Sequence, residues 1–310
     1  MVRLPPAEKL SLALRKNVRD EWDNNKKDLE QQLSEILGQE WTVDINPNAV
    51  WPYHNDGYAK ESLGSCIKSY VEGAVYYLKY LGGRYDSLIG EVNEIASAHV
   101  LTMDVDEESR VSYCGVDVVD GKLRIIFNPT SLGVNINDAL SESNLLPALN
   151  NAPTDKPLSF SARLGIASDY EPAIAAVRHQ FAELLGKQDD EINLNPNFEE
   201  TFAKLKEAAS NKKNDIRDDW QNNLGSFTLK YWEGLAYQMK YQKVGEDDLV
   251  QEGFLDAVSS LEFKFRIVDS LEYASYAEVV IKDGILYLQS KATTWGTNID
   301  YAAEKLIDQL

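Results

Sequence analysis

The strongest constraint on the fold is that the two halves of this 310-residue chain repeat one another. The stretch LGSCIKSYVEGAVYYLKY, starting at Leu63, has nine identities with LGSFTLKYWEGLAYQMKY, starting at Leu224. Self-similarity that keeps its order along the chain is the signature of a repeat architecture. We therefore predict a tandem duplication of one unit. The other matches, in the same order, are Gly38 with Gly186, Asn46–Asn48 with Asn195–Asn197, Asp120-Gly121 with Asp283-Gly284, and Gly133 with Gly296.

A more conspicuous match, VRDEWDNN from Val18 and IRDDWQNN from Ile216, does not belong to this series. The first octapeptide precedes the Leu-Gly pair that ends at Gly38, whereas the second follows the NPN of the other half. Each places a tryptophan four residues after an aliphatic side chain, which is one turn of a helix. We interpret the octapeptides as two helices with similar patterning, not as equivalent parts of the repeat.

Hydrophobic periodicity predicts helices followed by strands in each half. In the first half, apolar residues recur at helical spacing from Leu10 to Leu37, and further helices are expected at about 62–81 and in DSLIGEVNEIASA. The pattern then alternates in HVLTMDVDE, RVSYCGVDVV and KLRIIFN, with Asp120-Gly121 as a type I′ hairpin signal. We predict the α+β class. Each unit would have three to four helices on one face of a three-stranded antiparallel meander, closed by a C-terminal helix that an asparagine caps.

Proline and small polar residues in PALNNAPTDKPLSF indicate a boundary between the two halves. We assign residues 1–150 to the first α+β repeat, 151–168 to a linker and 169–310 to the second repeat. Two copies of one unit in a chain resemble a fused homodimer. We therefore expect a pseudo-twofold arrangement in which the meanders or the tyrosine-bearing helices face each other.

The charge balance limits the partners. Against 31 Lys and Arg stand 50 Asp and Glu, a formal net charge of −19. Such a surface repels nucleic-acid phosphates and anionic lipid, so it argues against nucleic-acid and membrane binding and favours a basic partner. The sequence has no apolar run of membrane-spanning length and no signal-peptide pattern. With only two cysteines, it predicts a soluble, intracellular protein in the cytoplasm.

The sequence carries no recognisable catalytic or metal-binding signature. The histidines His54, His99 and His179 have no ligand spacing, and there is no phosphate-binding glycine motif and no nucleophile elbow. We predict no metal and no cofactor, and the chain is read as non-enzymatic with the question of catalysis left open. Cys66 and Cys114 align with Phe227 and Ala277, as buried packing cysteines would.

The candidate site is the motif YxEGxxYxxKY on the second long helix of each repeat. Spacings of three, four and seven place its Glu, Tyr and Lys on one helical stripe. The stripe can be an exposed face with a solvated Glu–Lys pair, or a pocket wall in which Tyr and Glu act on a ligand. The loop WPYH adds either a hydrophobic plug or a pocket lid. The candidates are Tyr70, Glu72, Tyr76, Lys79, Tyr80, Tyr231, Glu233, Tyr237, Lys240 and Tyr241, with Trp51, Tyr53 and His54.

Two functions follow from these observations. The first is a non-enzymatic binding, self-association or structural protein made of two homologous domains, with a basic protein or a second copy as partner. The alternative is a cofactor-independent enzyme or small-ligand carrier with a Tyr/Glu-lined pocket between helices and sheet. Burial distinguishes them, because inward-pointing Glu72 and Glu233 would favour the pocket and solvent-exposed ones the binding protein.

Overall fold

The computed structural model describes residues 3–310. The chain divides into two compact units, the first ending at Asp155 and the second comprising Lys156–Leu310. Each unit combines helices with one four-stranded sheet, so the α+β class is confirmed. Residues 160–168, which the composition assigned to the linker, belong to the first helical segment of the second unit, and this segment runs from Phe160 to Tyr170.

The helices are long where the sequence showed the clearest apolar stripe. The helix predicted at 62–81 is α4, Leu63–Arg84. The other α-helices of the first unit are α1 Leu12–Asn17, α2 Asn24–Leu37, α3 Pro47–Val50, α5 Leu88–Ile95 and α6 Glu142–Asn151. Those of the second unit are α7 Phe160–Gly165, α8 Ile174–Leu185, α9 Phe198–Ser210, α10 Leu224–Tyr241 and α11 Asp248–Ala257. Gly38 and Gly186 end α2 and α8 in the left-handed conformation that favours glycine.

Both sheets are mixed, so the predicted antiparallel meander is wrong. The strands are β1 Thr42–Asp44, β2 Val100–Val105, β3 Cys114–Val119 and β4 Lys122–Phe127, then β5 Asn193–Asn195, β6 Glu262–Val268, β7 Ala277–Lys282 and β8 Ile285–Lys291. Their orders are β1-β2-β4-β3 and β5-β6-β8-β7. In the first sheet, β2 is parallel to both β1 and β4, and β3 is the antiparallel edge strand. The second sheet has the same pairing.

The prediction failed because it paired strands in chain order. Strand β3 lies at the edge of the sheet. The hairpin that follows it brings β4 between β3 and β2, so that β4 pairs with β2 in parallel. The turn itself was correctly predicted. Asp120 and Gly121 have φ of 51° and 68°, and Asp283 and Gly284 have φ of 54° and 77°. Positive φ at both central residues is what a type I′ turn requires.

Alternating strand residues face the core of each unit. In β6, Phe263 and Phe265 are fully buried, and their neighbours in the strand are only half-buried. Phe181 of α8 packs edge-on against Phe263, with ring centroids 4.9 Å apart. Tyr231 of α10 lies 4.8 Å from Phe265 by the same measure. Helices α8 and α10 therefore contact the same face of this sheet, and large apolar rings supply most of the contact.

The first helical segment of each unit changes to a π-helical turn where the long helix crosses it. Val18–Asp23 forms this turn between α1 and α2, and Ile166–Tyr170 forms it directly after α7. A Cβ atom on Gly64 of α4 would lie 2.5 Å from the carbonyl oxygen of Asn17. The corresponding distance at Gly225 of α10, to a carbonyl oxygen of α7, is 2.3 Å. Since a side chain would clash with backbone, only glycine permits this approach.

The two octapeptides occupy different elements. VRDEWD is the π-helical turn of the first unit, and its counterpart in the second unit is Ile166–Tyr170. Residues 216–223, which carry the second octapeptide, form turns that lead into α10 instead of the helix that the sequence suggested. Trp22 and Tyr170, each four residues after the start of its π-helical turn, are both buried.

The closing helix was predicted correctly only in part. After Asn135, the first unit forms a short 3-10 helix, Ile136–Asp138, and α6 begins later, at Glu142. Asn135 adopts φ of 52° and its side chain caps nothing, so it starts a tight turn and not an α-helix. In the second unit the corresponding prediction is wrong, because the chain after Asn298 forms 3-10 turns through to its end. There the Gln242 side chain donates to the carbonyl oxygen of Ala303 (2.8 Å), in place of an intrahelical bond.

Candidate functional site

The candidate tyrosines lie in two layers. Tyr70 and Tyr231, the first tyrosine of each motif, are fully buried. Burial raises the pKa of both phenols, so they stay protonated. Each hydroxyl accepts a hydrogen bond of 3.1 Å from the backbone N–H of a glycine, Gly133 in the first unit and Gly296 in the second. These tyrosines hold a loop onto the long helix and are not open to a ligand.

The other motif tyrosines are on the surface. Tyr76 and Tyr80 of α4 are 62% and 51% exposed, and Tyr237 and Tyr241 of α10 are 62% and 72% exposed. Residues four apart on a helix are neighbours, and each pair stacks its rings with centroids 6.3 Å apart. The interplanar angles are 2° and 11°. Each unit thus exposes a pair of parallel, stacked phenol rings to solvent, which we call its tyrosine face.

The charged residues of the motif also point outward. Glu72, Lys79, Glu233 and Lys240 are all exposed. The predicted Glu–Lys pair of the first unit has a different partner, because Glu72 pairs with Lys68 one turn earlier, at 3.6 Å. Neither glutamate points into a cavity between helices and sheet, which is the placement that the pocket interpretation required.

Beside the tyrosine face of α10 lies an open groove of about 620 Å³. One wall is α10, and the other is the 3-10 segment that begins at Ile299. Gly234 lets the walls approach, since a Cβ there would lie 3.3 Å from the backbone of Asp300. Gln238 joins them through a 2.9 Å bond from its Nε2 to the carbonyl oxygen of Asp300. The lining residues are Glu233, Gly234, Tyr237, Gln238, Tyr241, Asp300, Tyr301 and Glu304.

One wall of this groove was not identified from the sequence. Asp300, Tyr301 and Glu304 lie in the segment that the sequence pattern predicted as the closing helix and that forms 3-10 and other turns instead. The available signal was the GxNI match that starts at Gly296, because its partner at Gly133 also follows the last strand of its unit.

At the corresponding seam of the first unit, polar side chains bond to each other. The Tyr77 hydroxyl donates to the Asp138 carboxylate at 3.3 Å. Desolvation, together with the nearby Asp138 charge, raises the pKa of Tyr77. Glu142 accepts bonds from Arg84 (2.5 Å) and from the Tyr85 hydroxyl (2.7 Å). The carboxylates of this seam are therefore already engaged within the unit.

The WPYH segment divides into a buried and a partly exposed part. Tyr53 is buried against Phe127, with ring centroids 5.5 Å apart, and its hydroxyl accepts from the backbone N–H of Leu4. Trp51 and His54 are half-buried, with ring centroids 4.7 Å apart. Tyr53 is therefore the hydrophobic plug, and Trp51 and His54 form the outer surface above it.

Cys66 and Cys114 are buried free thiols. Burial raises the pKa of each to about 12, so neither is a thiolate nucleophile at neutral pH. Within residues 3–310, no three His, Cys, Asp or Glu side chains converge in a way that could hold a metal ion.

The chain matches no protein-family model, no curated protein and no solved structure. None of the helices formed by residues 3–310 has the length and apolar character needed to cross a bilayer.

Proposed function

We propose that this chain is a non-enzymatic binding protein whose contact surfaces are the tyrosine faces of α4 and α10. The observation that carries the proposal is the repetition of one exposed stacked tyrosine pair in both units. Exposed rings lose apolar contact with the core, and tyrosine is among the residues enriched in protein interfaces. Two chemically similar faces in one chain support contact with a partner more readily than catalysis.

We also infer that the units arose by tandem duplication. The shared strand order, the two Asp-Gly hairpins and the two Tyr–Gly hydrogen bonds support this inference. The π-helical turn under the glycine of each long helix adds a feature that is rare in unrelated folds. A duplicated unit would carry its interaction surface twice, which accounts for the two tyrosine faces.

The partner is proposed to be another protein and not a second copy. A chain with a formal net charge of −19 repels its own copies at long range. Attraction to a basic surface would speed association instead. The free thiols Cys66 and Cys114 suit a reducing compartment, so the proposal places this binding in the cytoplasm.

Site-specific photo-cross-linking in the source cells tests the proposal. A benzophenone amino acid replaces Tyr76 or Tyr237 in the full chain, and the matched control replaces Leu249, which is 78% exposed on α11. We expect discrete adducts from the tyrosine positions and none from Leu249. Mass spectrometry of the adduct then separates a second copy of the chain from a different protein.

Two results would contradict the proposal. Equal adducts at all three positions would indicate random collision. The absence of adducts at both tyrosine positions would show that the tyrosine faces are not the binding surfaces. As a confirmation of specificity, the variant Tyr241→Ala should weaken the Tyr237 adduct, because removal of the stacked neighbour shrinks the contact surface.

A further inference from the structure

We propose that the groove beside α10 binds an arginine-bearing segment of a basic protein. The inference rests on the proposed binding function and names the chemistry of the partner. It is carried by a groove that both exposed phenol rings and carboxylates line, and by the difference between this groove and the same seam of the first unit.

The rings form one side of the site. Tyr237 and Tyr241 stack along α10, and Tyr301, 64% exposed, faces the groove from the opposite wall. A planar guanidinium is held well by such a site, because it stacks on aromatic faces through cation–π attraction. With about 620 Å³, the groove is large enough for at least one long side chain and its backbone.

The carboxylates of the groove are unneutralised. In the part of the chain that the structure describes, Glu233, Asp300 and Glu304 take part in no ion pair. Lys240 lines an adjacent hollow together with Glu233 and Tyr237, and it is not among the residues that line the groove. A guanidinium on the rings would therefore meet carboxylates that have kept their hydrogen-bonding capacity, and Arg can engage each through two N–H groups.

In the first unit, side chains of the unit itself close the corresponding seam. Where the second unit has Gln238 and Tyr301, the first has Tyr77 and Asp138, which bond to each other. Its Glu142 is already neutralised by Arg84. The first unit thus satisfies its seam internally, whereas the second leaves three carboxylates for an external cation.

Charge complementarity selects this occupant over the others. A second copy would bring further negative charge to an acidic groove. An acidic peptide would be repelled in the same way, and a purely apolar peptide would leave the carboxylates without partners. An arginine-bearing segment satisfies both the rings and the carboxylates.

Fluorescence anisotropy with the full chain and a fluorescein-labelled peptide of alternating arginine and glycine tests the proposal. The control peptide replaces each arginine with citrulline, which keeps the shape and removes the charge. The groove variants are Glu233→Gln/Asp300→Asn/Glu304→Gln and Tyr237→Ala/Tyr241→Ala. Matched controls are Asp248→Asn/Glu252→Gln/Asp256→Asn, which changes the net charge equally on exposed positions of α11, and Tyr58→Ala/Tyr113→Ala, which removes two other exposed tyrosines.

We expect the arginine peptide to bind one per chain and the citrulline peptide to bind at least tenfold more weakly, roughly the effect of several cation–π and ion-pair contacts. Each groove variant should lower the affinity about tenfold, and the controls should stay within about twofold. Circular dichroism establishes that each variant is folded. Loss of affinity in the α11 variant equal to that in the groove variant would overturn the proposal in favour of diffuse electrostatic attraction.

The cross-linking experiment separates the two proposals. Adducts at Tyr237 without binding of the arginine peptide would overturn the arginine inference and leave the binding function standing. Absence of adducts at both Tyr76 and Tyr237 would overturn the binding function itself.

Discussion

Two glycines of the same helix should respond in opposite ways to alanine. On α4, Gly64 lies where the helix crosses the π-helical turn, and a Cβ there would lie 2.5 Å from the Asn17 carbonyl oxygen and 2.7 Å from the Val18 Cα. Gly83, near the other end of the helix, has no atom within 4 Å of its Cβ position. Both are helical, so they differ mainly in the space beside them.

The magnitudes follow from this geometry. Ordinary contact between carbon atoms is about 3.5–4.0 Å, so Gly64→Ala must push the two helices apart by about 1 Å. Overpacking of this kind costs roughly 1–3 kcal/mol, and the upper part applies because backbone atoms cannot rotate away. The higher helix propensity of alanine offsets roughly 0.5–1 kcal/mol of this cost. The net loss for Gly64→Ala is about 1–2.5 kcal/mol, whereas Gly83→Ala gains about 0.5–1 kcal/mol from propensity alone.

Urea unfolding of the full chain, followed by circular dichroism, measures both changes. We expect the urea midpoint to fall for Gly64→Ala and to rise for Gly83→Ala. The slope of the unfolding free energy against urea concentration should stay the same. Gly225→Ala should repeat the loss in the second unit, since its Cβ would lie 2.3 Å from the Gly165 carbonyl oxygen. If Gly64→Ala is neutral or stabilising, the close crossing does not constrain the fold and the reasoning is refuted.

Three further predictions concern buried and titrating groups. Tyr70→Phe leaves the N–H of Gly133 without its acceptor and should cost about 1–3 kcal/mol in urea unfolding, and a neutral result would contradict the loop-holding role. Cys66, whose pKa burial raises to about 12, should react with a disulfide reagent in urea but only slowly in the native chain, and rapid native labelling would show it accessible. His179 has its pKa raised by its hydrogen bond to Asp189, so its stabilising contribution is full below the ordinary histidine pKa and is lost as pH rises through the raised value. His179→Gln should therefore lower stability at about pH 5 and not at about pH 9, and an equal effect at both would exclude the charge interaction.

Local structure was largely predictable from the sequence because its signals are local. The stripe of α4 gave the helix and its outward face, and Asp-Gly gave both hairpins. Strand order was not predictable in this way. The pairing of β2 with β4 joins residues about twenty positions apart across an intervening strand, and nothing in either alternating pattern distinguishes that partner from β3.

The candidate site was predictable as a helix face and not as a groove. Helical spacing placed Tyr76 and Tyr80 together, as the structure has them. It gave Glu72 the wrong lysine, since Lys79 is seven residues away, about 10 Å along the helix axis, while Lys68 is only one turn away. The second wall of the groove depends on how turns after Gly296 fold back onto α10, which is a tertiary contact that periodicity does not encode.

The seams of the two units differ because the shared sheet order and glycine contacts leave the choice of side chain there open. Backbone contacts fix the glycines of the crossing and of the seam, because a Cβ at Gly73 or Gly234 would press on the facing segment. Side chains that only line the seam are under no such restraint, so Tyr77 and Asp138 can close it in one unit while Gln238 and Tyr301 leave it open in the other. The fold of the second unit therefore does not require its seam to be closed, and the exposed carboxylates of Glu233, Asp300 and Glu304 stay in solvent, where an external cation can reach them.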